Sequence, residues 1–221
     1  MSKSVYSIVL TDEVVQAVDR LAYQSGTSRS NMIDRILAQS VSFLTPEERI
    51  RQVFSEIEQM LTPSGNFQLL MQPTGSMMSL RSALRYKYNP TVRYSIEMLH
   101  LEGGTQARLK VLLRTQSRTL MEYMDQFFVL WNGLEKKQGE KEEAGKYGWK
   151  TETDAAKYVR TLRLPKEEIS NEEFGERIAL YIRAVDEAMK SFFSELDSPE
   201  KAVETVAKRY EVYRRAIDYE L

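Results

Sequence analysis

The chain has 221 residues, 42% of them hydrophobic and 29% charged, a balance typical of a folded globular protein. It contains no cysteine and one histidine, which excludes disulfide bonds, thiolate metal sites and a histidine metal cluster. No apolar run approaches the roughly 18 residues of a membrane-spanning helix, and the first residues lack the pattern of a signal peptide. We therefore expect a cytoplasmic protein with no membrane partner.

The net charge of −1 is unevenly distributed along the chain. Residues 1–44 hold four basic and four acidic residues. Residues 81–118 hold eight basic and two acidic residues, a net charge of +6, whereas residues 166–221 carry a net charge of −5. A nucleic-acid-binding surface would therefore be local, because a chain that is basic throughout would have a higher net charge.

The chain begins with a predicted strand over residues 5–10, in which side chains alternate between two faces. A single strand leaves its backbone N–H and C=O groups unpaired, and no second strand follows nearby. We expect the same strand of a second copy to complete the pair. The outward face carries Val5, Ser7 and Val9, and the core face carries Tyr6, Ile8 and Leu10.

Two helices are predicted after this strand. Thr11 is expected to cap the first helix, and Ser25-Gly26 to end it. Ser28 is expected to cap the second, which continues through Met32 and Leu37. A strand and two short helices cannot enclose a core alone, so an intertwined homodimer is expected. The predicted buried stripe of the first helix consists of Val14, Val15, Val18, Leu21 and Ala22.

This arrangement resembles the ribbon-helix-helix family, the MetJ/Arc/CopG class of repressors. The resemblance lies in residues 8–13, 18–22 and 26–33, and the spacing from Leu10 to Gly26 to Ile33 matches without a gap. It covers about one fifth of the chain. It implies a dimer whose paired strands enter the major groove of double-stranded DNA and read bases with their outward side chains.

The resemblance also implies which residues contact DNA. The base-facing positions would be Val5, Ser7 and Val9, with Lys3 just before them. The backbone at the start of the second helix would hold a phosphate, because free N–H groups and the positive end of the helix dipole attract anions. That phosphate clamp consists of Thr27, Ser28, Arg29 and Ser30.

The outward face of the strand departs from the family, whose members usually carry polar or basic side chains there. Valine can contact a thymine methyl group but cannot form a bidentate hydrogen bond with guanine or adenine. An alternative therefore remains open. The module would serve mainly for dimerisation, in an antitoxin or a protein-interaction module.

Residues 45–221 are predicted to form an α+β domain of unrecognised family with a sensor or interaction role. Thr45-Pro46 predicts a helix start. Alternating segments then predict an antiparallel meander of three or four strands over residues 67–71, 79–88, 92–101 and 106–114. A helix from Ser117 or Thr119 to Trp131 is expected to cover one face of this sheet.

A mobile loop is predicted over about residues 133–150, because charged residues and glycines dominate there. A short helix is expected from Thr153 or Asp154 to Leu164. Two further helices are predicted to begin at Ser170 and Ser198.

Basic residues of the meander are predicted to lie opposite its apolar face, where they form a solvated surface. Two alternatives remain: a site for an anionic small-molecule effector, or extra phosphate contacts. Tyr86, Tyr88 and Tyr94 share the apolar face, so we place them in the core. The basic candidates are Arg81, Arg85, Lys87, Arg93, Arg108 and Lys110.

No pattern of catalytic residues stands out. His100 has no acidic partner at a useful spacing, and the sequence contains neither a glycine-rich phosphate loop nor a nucleophile elbow. We therefore predict no enzymatic activity, no cofactor and no metal. The sequence favours a dimeric, sequence-specific DNA-binding protein that acts as a transcriptional repressor.

Overall fold

The computed structural model describes residues 6–41, 46–101, 104–138, 148–152, 155–163 and 169–217. The chain divides into two compact units, Met1–Arg49 and Ile50–Leu221. The fold class is α+β, as predicted. In chain order the elements are α1 (Asp12–Gln24), α2 (Arg29–Ser40), α3 (Pro46–Leu61), β1 (Phe67–Thr74), β2 (Met77–Ala83), β3 (Thr91–Leu101), β4 (Gly104–Arg114), α4 (Arg118–Gln138), β5 (Gly148–Glu152), β6 (Ala155–Arg163), α5 (Asn171–Ser194) and α6 (Pro199–Ala216).

In the first unit, α1 and α2 begin and end close to the predicted residues. The Ser28 side chain accepts a hydrogen bond from the Asn31 N–H at 3.3 Å, so the predicted cap of α2 is confirmed. Thr11 is the N-cap residue of α1, as predicted, and its carbonyl accepts from the Val15 N–H at 3.0 Å, but its side chain makes no capping hydrogen bond. Between the helices, Gly26 has φ +60°, a left-handed conformation that glycine adopts at low cost.

The predicted strand over residues 5–10 is not observed. Residues 6–11 belong to no sheet, and Val5 lies outside the described residues. A strand obtains its backbone hydrogen bonds from a neighbouring strand, and the described part of this unit offers none. The structure therefore shows the two helices α1 and α2 but not the ribbon of the expected ribbon-helix-helix fold.

The second unit contains a six-stranded sheet in the order β1-β2-β3-β4-β6-β5, in which every neighbouring pair is antiparallel. The predicted meander corresponds to β1–β4. However, β2 ends at Ala83 rather than at Tyr88. The chain turns because Tyr88 and Asn89 have φ values of 65° and 44°, and the Leu84 N–H donates to the Pro90 carbonyl at 2.9 Å.

This turn changes the predicted placement of three side chains. Arg85 and Lys87 are exposed on the turn and do not belong to the sheet surface. Tyr88, which we placed in the core, is fully exposed. Tyr94 is buried as predicted, and Tyr86 is half-buried against the rings of Tyr123 and Phe193.

The predictions for residues 133–163 are wrong in two places. Residues 133–138 complete α4 and residues 148–150 belong to β5, so only residues 139–147 of the expected loop remain, and these lie outside the described part. The expected helix after residue 153 is strand β6. Tyr158 and Leu162 show the alternation of a strand, but the buried Arg160 between them interrupts the apolar pattern.

The helices of the second unit lie on one face of the sheet. The Phe128 ring of α4 stacks on Tyr158 of β6 with ring centroids 4.3 Å apart, which confirms that α4 covers the sheet. The Tyr94 hydroxyl of β3 donates to Asp186 of α5 at 2.9 Å. Since side chains of a strand alternate, the next residue along each strand lies on the opposite face, which we call the open face.

Helices α3 and α5 approach each other closely at Gly175. A methyl group at this position would lie 2.8 Å from the Val53 carbonyl oxygen and 2.8 Å from the Glu56 Cβ atom. Nearby, the Asn171 amide donates to the Gln52 side chain at 2.7 Å. The absence of a side chain at Gly175 therefore sets the distance between the two helices.

We predict that Gly175→Ala lowers the free energy of unfolding by about 1–3 kcal/mol, because the added methyl group forces the helices apart. Gly133→Ala in α4 is the matched control, since no atom lies within 4 Å of the added Cβ. This control should raise stability by up to about 1 kcal/mol through helix propensity. Urea unfolding measures both variants, and equal effects would contradict the close contact.

Candidate functional site

The start of α2 retains the features of an anion-binding site. Ser28, Arg29 and Ser30 are exposed, and the first N–H groups of a helix have no acceptor within it. These free N–H groups and the positive end of the helix dipole favour a negatively charged ligand. Thr27 differs from this prediction, because its N–H donates to the Ala22 carbonyl at 2.9 Å and closes the turn instead.

The Arg29 side chain is bound to Asp19 of α1. Its Nε and Nη2 atoms each lie 2.6 Å from a carboxylate oxygen, a bidentate ion pair on the protein surface. The hydrogen bond from Arg29 lowers the pKa of Asp19. Within a single chain the charge of Arg29 is thus compensated, and a phosphate at the start of α2 would compete with Asp19 for the guanidinium.

Among the described residues of the first unit, few apolar side chains are buried. Its core cluster contains Val18, Ala22 and Met32, with Ile33 and Ile36 packed against them. Val14 and Leu21 were predicted to be buried, but each is 46% exposed. The large hydrophobic side chains exposed in this unit are Tyr6, Ile8, Val9, Leu10, Val14, Leu21, Tyr23, Leu37 and Val41. Exposure of this extent is typical of a surface that a partner covers.

The predicted base-reading positions are only partly described. Lys3 and Val5 lie outside the described residues. Ser7 and Val9 are exposed, and the Val9 side chain is fully accessible to solvent. Both residues are thus available at the surface, as a base-reading role requires.

The predicted basic cluster separates into three groups. Arg81 and Arg93 are exposed on the open face and are directly opposite each other in the register of β2 and β3. Arg85 and Lys87 belong to the turn after β2.

The third group is compensated by an acid. The Lys110 ammonium and the Arg108 guanidinium lie 2.9 Å and 3.7 Å from the same oxygen of Glu97. The hydrogen bond from Lys110 lowers the pKa of Glu97. Arg81 and Arg93, by contrast, donate hydrogen bonds to the neutral side chains of Gln68 and Ser79.

The sequence did not predict a buried polar cluster between α4, α5 and β6. Glu135 and Arg160 form an ion pair and are 6% and 5% exposed. The Glu135 carboxylate also accepts hydrogen bonds from Tyr181 at 2.8 Å, Trp131 at 3.0 Å and Tyr158 at 3.4 Å. The Arg160 guanidinium lies 4.4 Å from the centre of the Tyr181 ring, in cation–π geometry.

This cluster holds the core together rather than facing a ligand. The three aromatic side chains around Glu135 are fully buried. Burial raises the pKa of Tyr181 to about 12, so its hydroxyl remains a hydrogen-bond donor near neutral pH. The sequence contains one signal for this buried cluster: Trp131 and Glu135 are one helical turn apart and can point to the same side of α4.

Other kinds of site find little support in the described part of the chain. It contains no group of three histidine, cysteine or acidic residues that could hold a metal ion. None of its helices combines the length and the apolar character needed to cross a bilayer. His100 pairs with Thr105 between β3 and β4, and its side chain lies outside the described part.

Comparison with protein-family models, with curated proteins and with solved structures finds no match to this chain. Its function is therefore inferred from its own residues.

We predict that Tyr181 makes stability depend on pH in alkaline solution. The pKa of Tyr181 is about 12 in the folded chain against 10.0 ordinarily, so folding retains a proton that the unfolded chain releases. Its stabilisation is complete below pH 10 and is lost as the pH rises toward 12. Relative to Tyr181→Phe, the free energy of unfolding should fall by about 2–3 kcal/mol between pH 9 and 12.

Urea unfolding at several pH values measures this difference. Tyr88→Phe is the matched control for the loss of a tyrosine hydroxyl, because the Tyr88 side chain is fully exposed. A constant difference between the wild type and Tyr181→Phe over this pH range would contradict the buried position of the hydroxyl.

Proposed function

We propose that the protein is a homodimeric, sequence-specific DNA-binding protein that regulates transcription. The observation that carries this proposal is the combination found in the first unit. A large exposed apolar surface accompanies a capped, exposed start of α2. The apolar surface requires a partner, and the helix start suits a phosphate.

A second copy of the chain is the partner that fits this surface. Residues 6–10 carry exposed apolar side chains, and Leu10 and Ile8 would gain a core by pairing with the same segment of another copy. The pairing would also satisfy backbone groups that no described strand of the unit satisfies. The resulting ribbon has the width of a two-stranded element that the major groove accommodates.

In this proposal DNA recognition divides into two kinds of contact. The N–H groups at Arg29 and Ser30 hold a phosphate and fix the orientation of the dimer. The outward residues of the ribbon then meet base edges: Val9 can contact a thymine methyl group, and Lys3 and Ser7 supply polar groups. A ribbon with these outward residues favours sites rich in thymine. The proposed function involves no catalytic step and no cofactor.

One observation favours a second candidate, an antitoxin or interaction module that uses the first unit mainly for dimerisation. The Arg29–Asp19 ion pair compensates the only basic side chain in the predicted clamp. In that case the dimer would present the second unit to a protein partner, and DNA binding would be weak.

Two substitutions at this ion pair distinguish the candidates. For a DNA-binding clamp, Arg29→Ala should weaken binding and lower the slope of log affinity against log salt by about 0.9, the value for one phosphate contact. Asp19→Asn should strengthen binding, because it releases Arg29 from its intramolecular partner. Fluorescence anisotropy with a duplex selected from a randomised pool measures both effects.

Two controls on α1 remove the same kinds of charge as the two test substitutions. Arg20→Ala removes an exposed positive charge and Glu13→Gln an exposed negative charge, and neither residue belongs to the clamp. Each control should change affinity less than its counterpart. If selection enriches no sequence and all four variants bind alike, the first unit is a dimerisation device and the second candidate stands.

A further inference from the structure

A basic row crosses the open face of the sheet. In the register of neighbouring strands, Gln68 of β1 pairs with Arg81, Arg81 with Arg93, Arg93 with Leu112, and Leu112 with Lys157 of β6. Because strands lie about 4.8 Å apart, Arg81 and Arg93 are immediate neighbours and Lys157 lies about 10 Å from Arg93. The row contains three basic residues and no acidic one.

The two arginines of this row interact only with neutral groups in the described part of the chain. Arg81 donates to the Gln68 side-chain oxygen at 3.0 and 2.7 Å, and Arg93 donates to the Ser79 hydroxyl at 3.2 Å. Like charges directly opposite each other on neighbouring strands destabilise a sheet. The pair therefore opposes folding slightly and is suited to a ligand that compensates both charges.

The rest of the open face is predominantly basic at the positions whose side chains are described. Among the strand positions whose side chains are described, Glu97 is its only acidic residue. No aromatic residue occupies these positions, so the face offers no ring on which an unpaired base could stack. Its basic residues are Arg81, Arg93, Arg108, Lys110, Arg114 and Lys157.

We propose that this open face binds the phosphodiester backbone of duplex DNA, with Arg81 and Arg93 as its principal contacts. The inference takes its choice of partner from the proposed function, and it adds a second DNA-binding surface outside the first unit. Guanidinium groups form bidentate hydrogen bonds with phosphate oxygens, which makes arginine suited to this contact. The contact carries no sequence information, because it involves the backbone alone.

The shape of the surface favours an extended polyanion over a small anion. The row lies on one face of a sheet and spans several strands, so its charges cannot all converge on one small ligand. Duplex DNA presents phosphates along its whole length and covers such a row at several points. The lack of aromatic residues at the described positions of the open face favours the duplex over a single strand.

The test uses the full-length protein and a labelled duplex of random sequence, titrated at 50–200 mM salt. Arg81→Gln combined with Arg93→Gln should lower the slope of log affinity against log salt by about 1.8, since each lost phosphate contact contributes about 0.9. The double variant should unfold in urea at the same or a higher concentration, because a repulsion is removed. Lysine at both positions should retain the slope.

The control removes the same charge elsewhere. Arg118→Gln combined with Arg215→Gln changes two residues that are 91% and 83% exposed, and it should leave the slope within about 0.5 of the wild type. An unchanged slope in the Arg81 and Arg93 variant would overturn the inference. So would tighter binding of a single strand, or competition by poly-glutamate equal to that of duplex DNA at the same charge concentration.

The two proposals can fail separately. If selection from randomised duplexes enriches no site but the slope still falls in the Arg81 and Arg93 variant, the sequence-specific function fails and the sheet surface stands. If a site is enriched and the slope does not fall, the regulator stands without a second surface. If the sheet surface binds the DNA backbone, the Arg81 and Arg93 variant loses affinity equally for selected and random duplexes.

Discussion

In the second unit the helices cover one face of the six-stranded sheet, and the pleat then assigns each strand residue either to the core or to the open face. The core side holds the aromatic packing that fixes α4, α5 and α6. It also holds the Glu135–Arg160 pair, whose burial is tolerated because Trp131 and Tyr181 donate hydrogen bonds to Glu135 and Arg160 donates one to Tyr181. The same alternation places the exposed charges of the strands on the open face, where basic residues outnumber acidic ones at the described positions.

In the described part of the first unit, by contrast, few apolar side chains are buried. Its cluster of Val18, Ala22 and Met32 is small, and apolar residues precede α1 and line both helices without cover. Both candidate functions therefore need a second copy of the chain. They differ only in what the completed dimer presents: a ribbon and a helix start for DNA, or the second unit for a protein partner.

The sequence predicted most of the helices and the first four strands, because periodicity and capping are local signals. Ser28 and Ser170 mark helix starts that the structure confirms. The failures occur where a distant residue determines the outcome. Arg160 interrupts the alternation of β6 and is buried only because Glu135, 25 positions earlier, neutralises it. At the candidate site, the sequence predicted the exposed start of α2, but not that Asp19 binds Arg29, since that pair depends on the angle between two helices.

The most direct test of the account is the mass of the full-length protein in solution, measured by sedimentation equilibrium at micromolar concentration. We expect the wild type to have twice the mass of the chain. Leu37→Glu, which places a charge on the exposed apolar surface of α2, should yield the monomer mass, whereas Gln39→Glu on the same helix should remain dimeric. A monomeric wild type would contradict the completion of the first unit by a second copy, and with it both candidate functions.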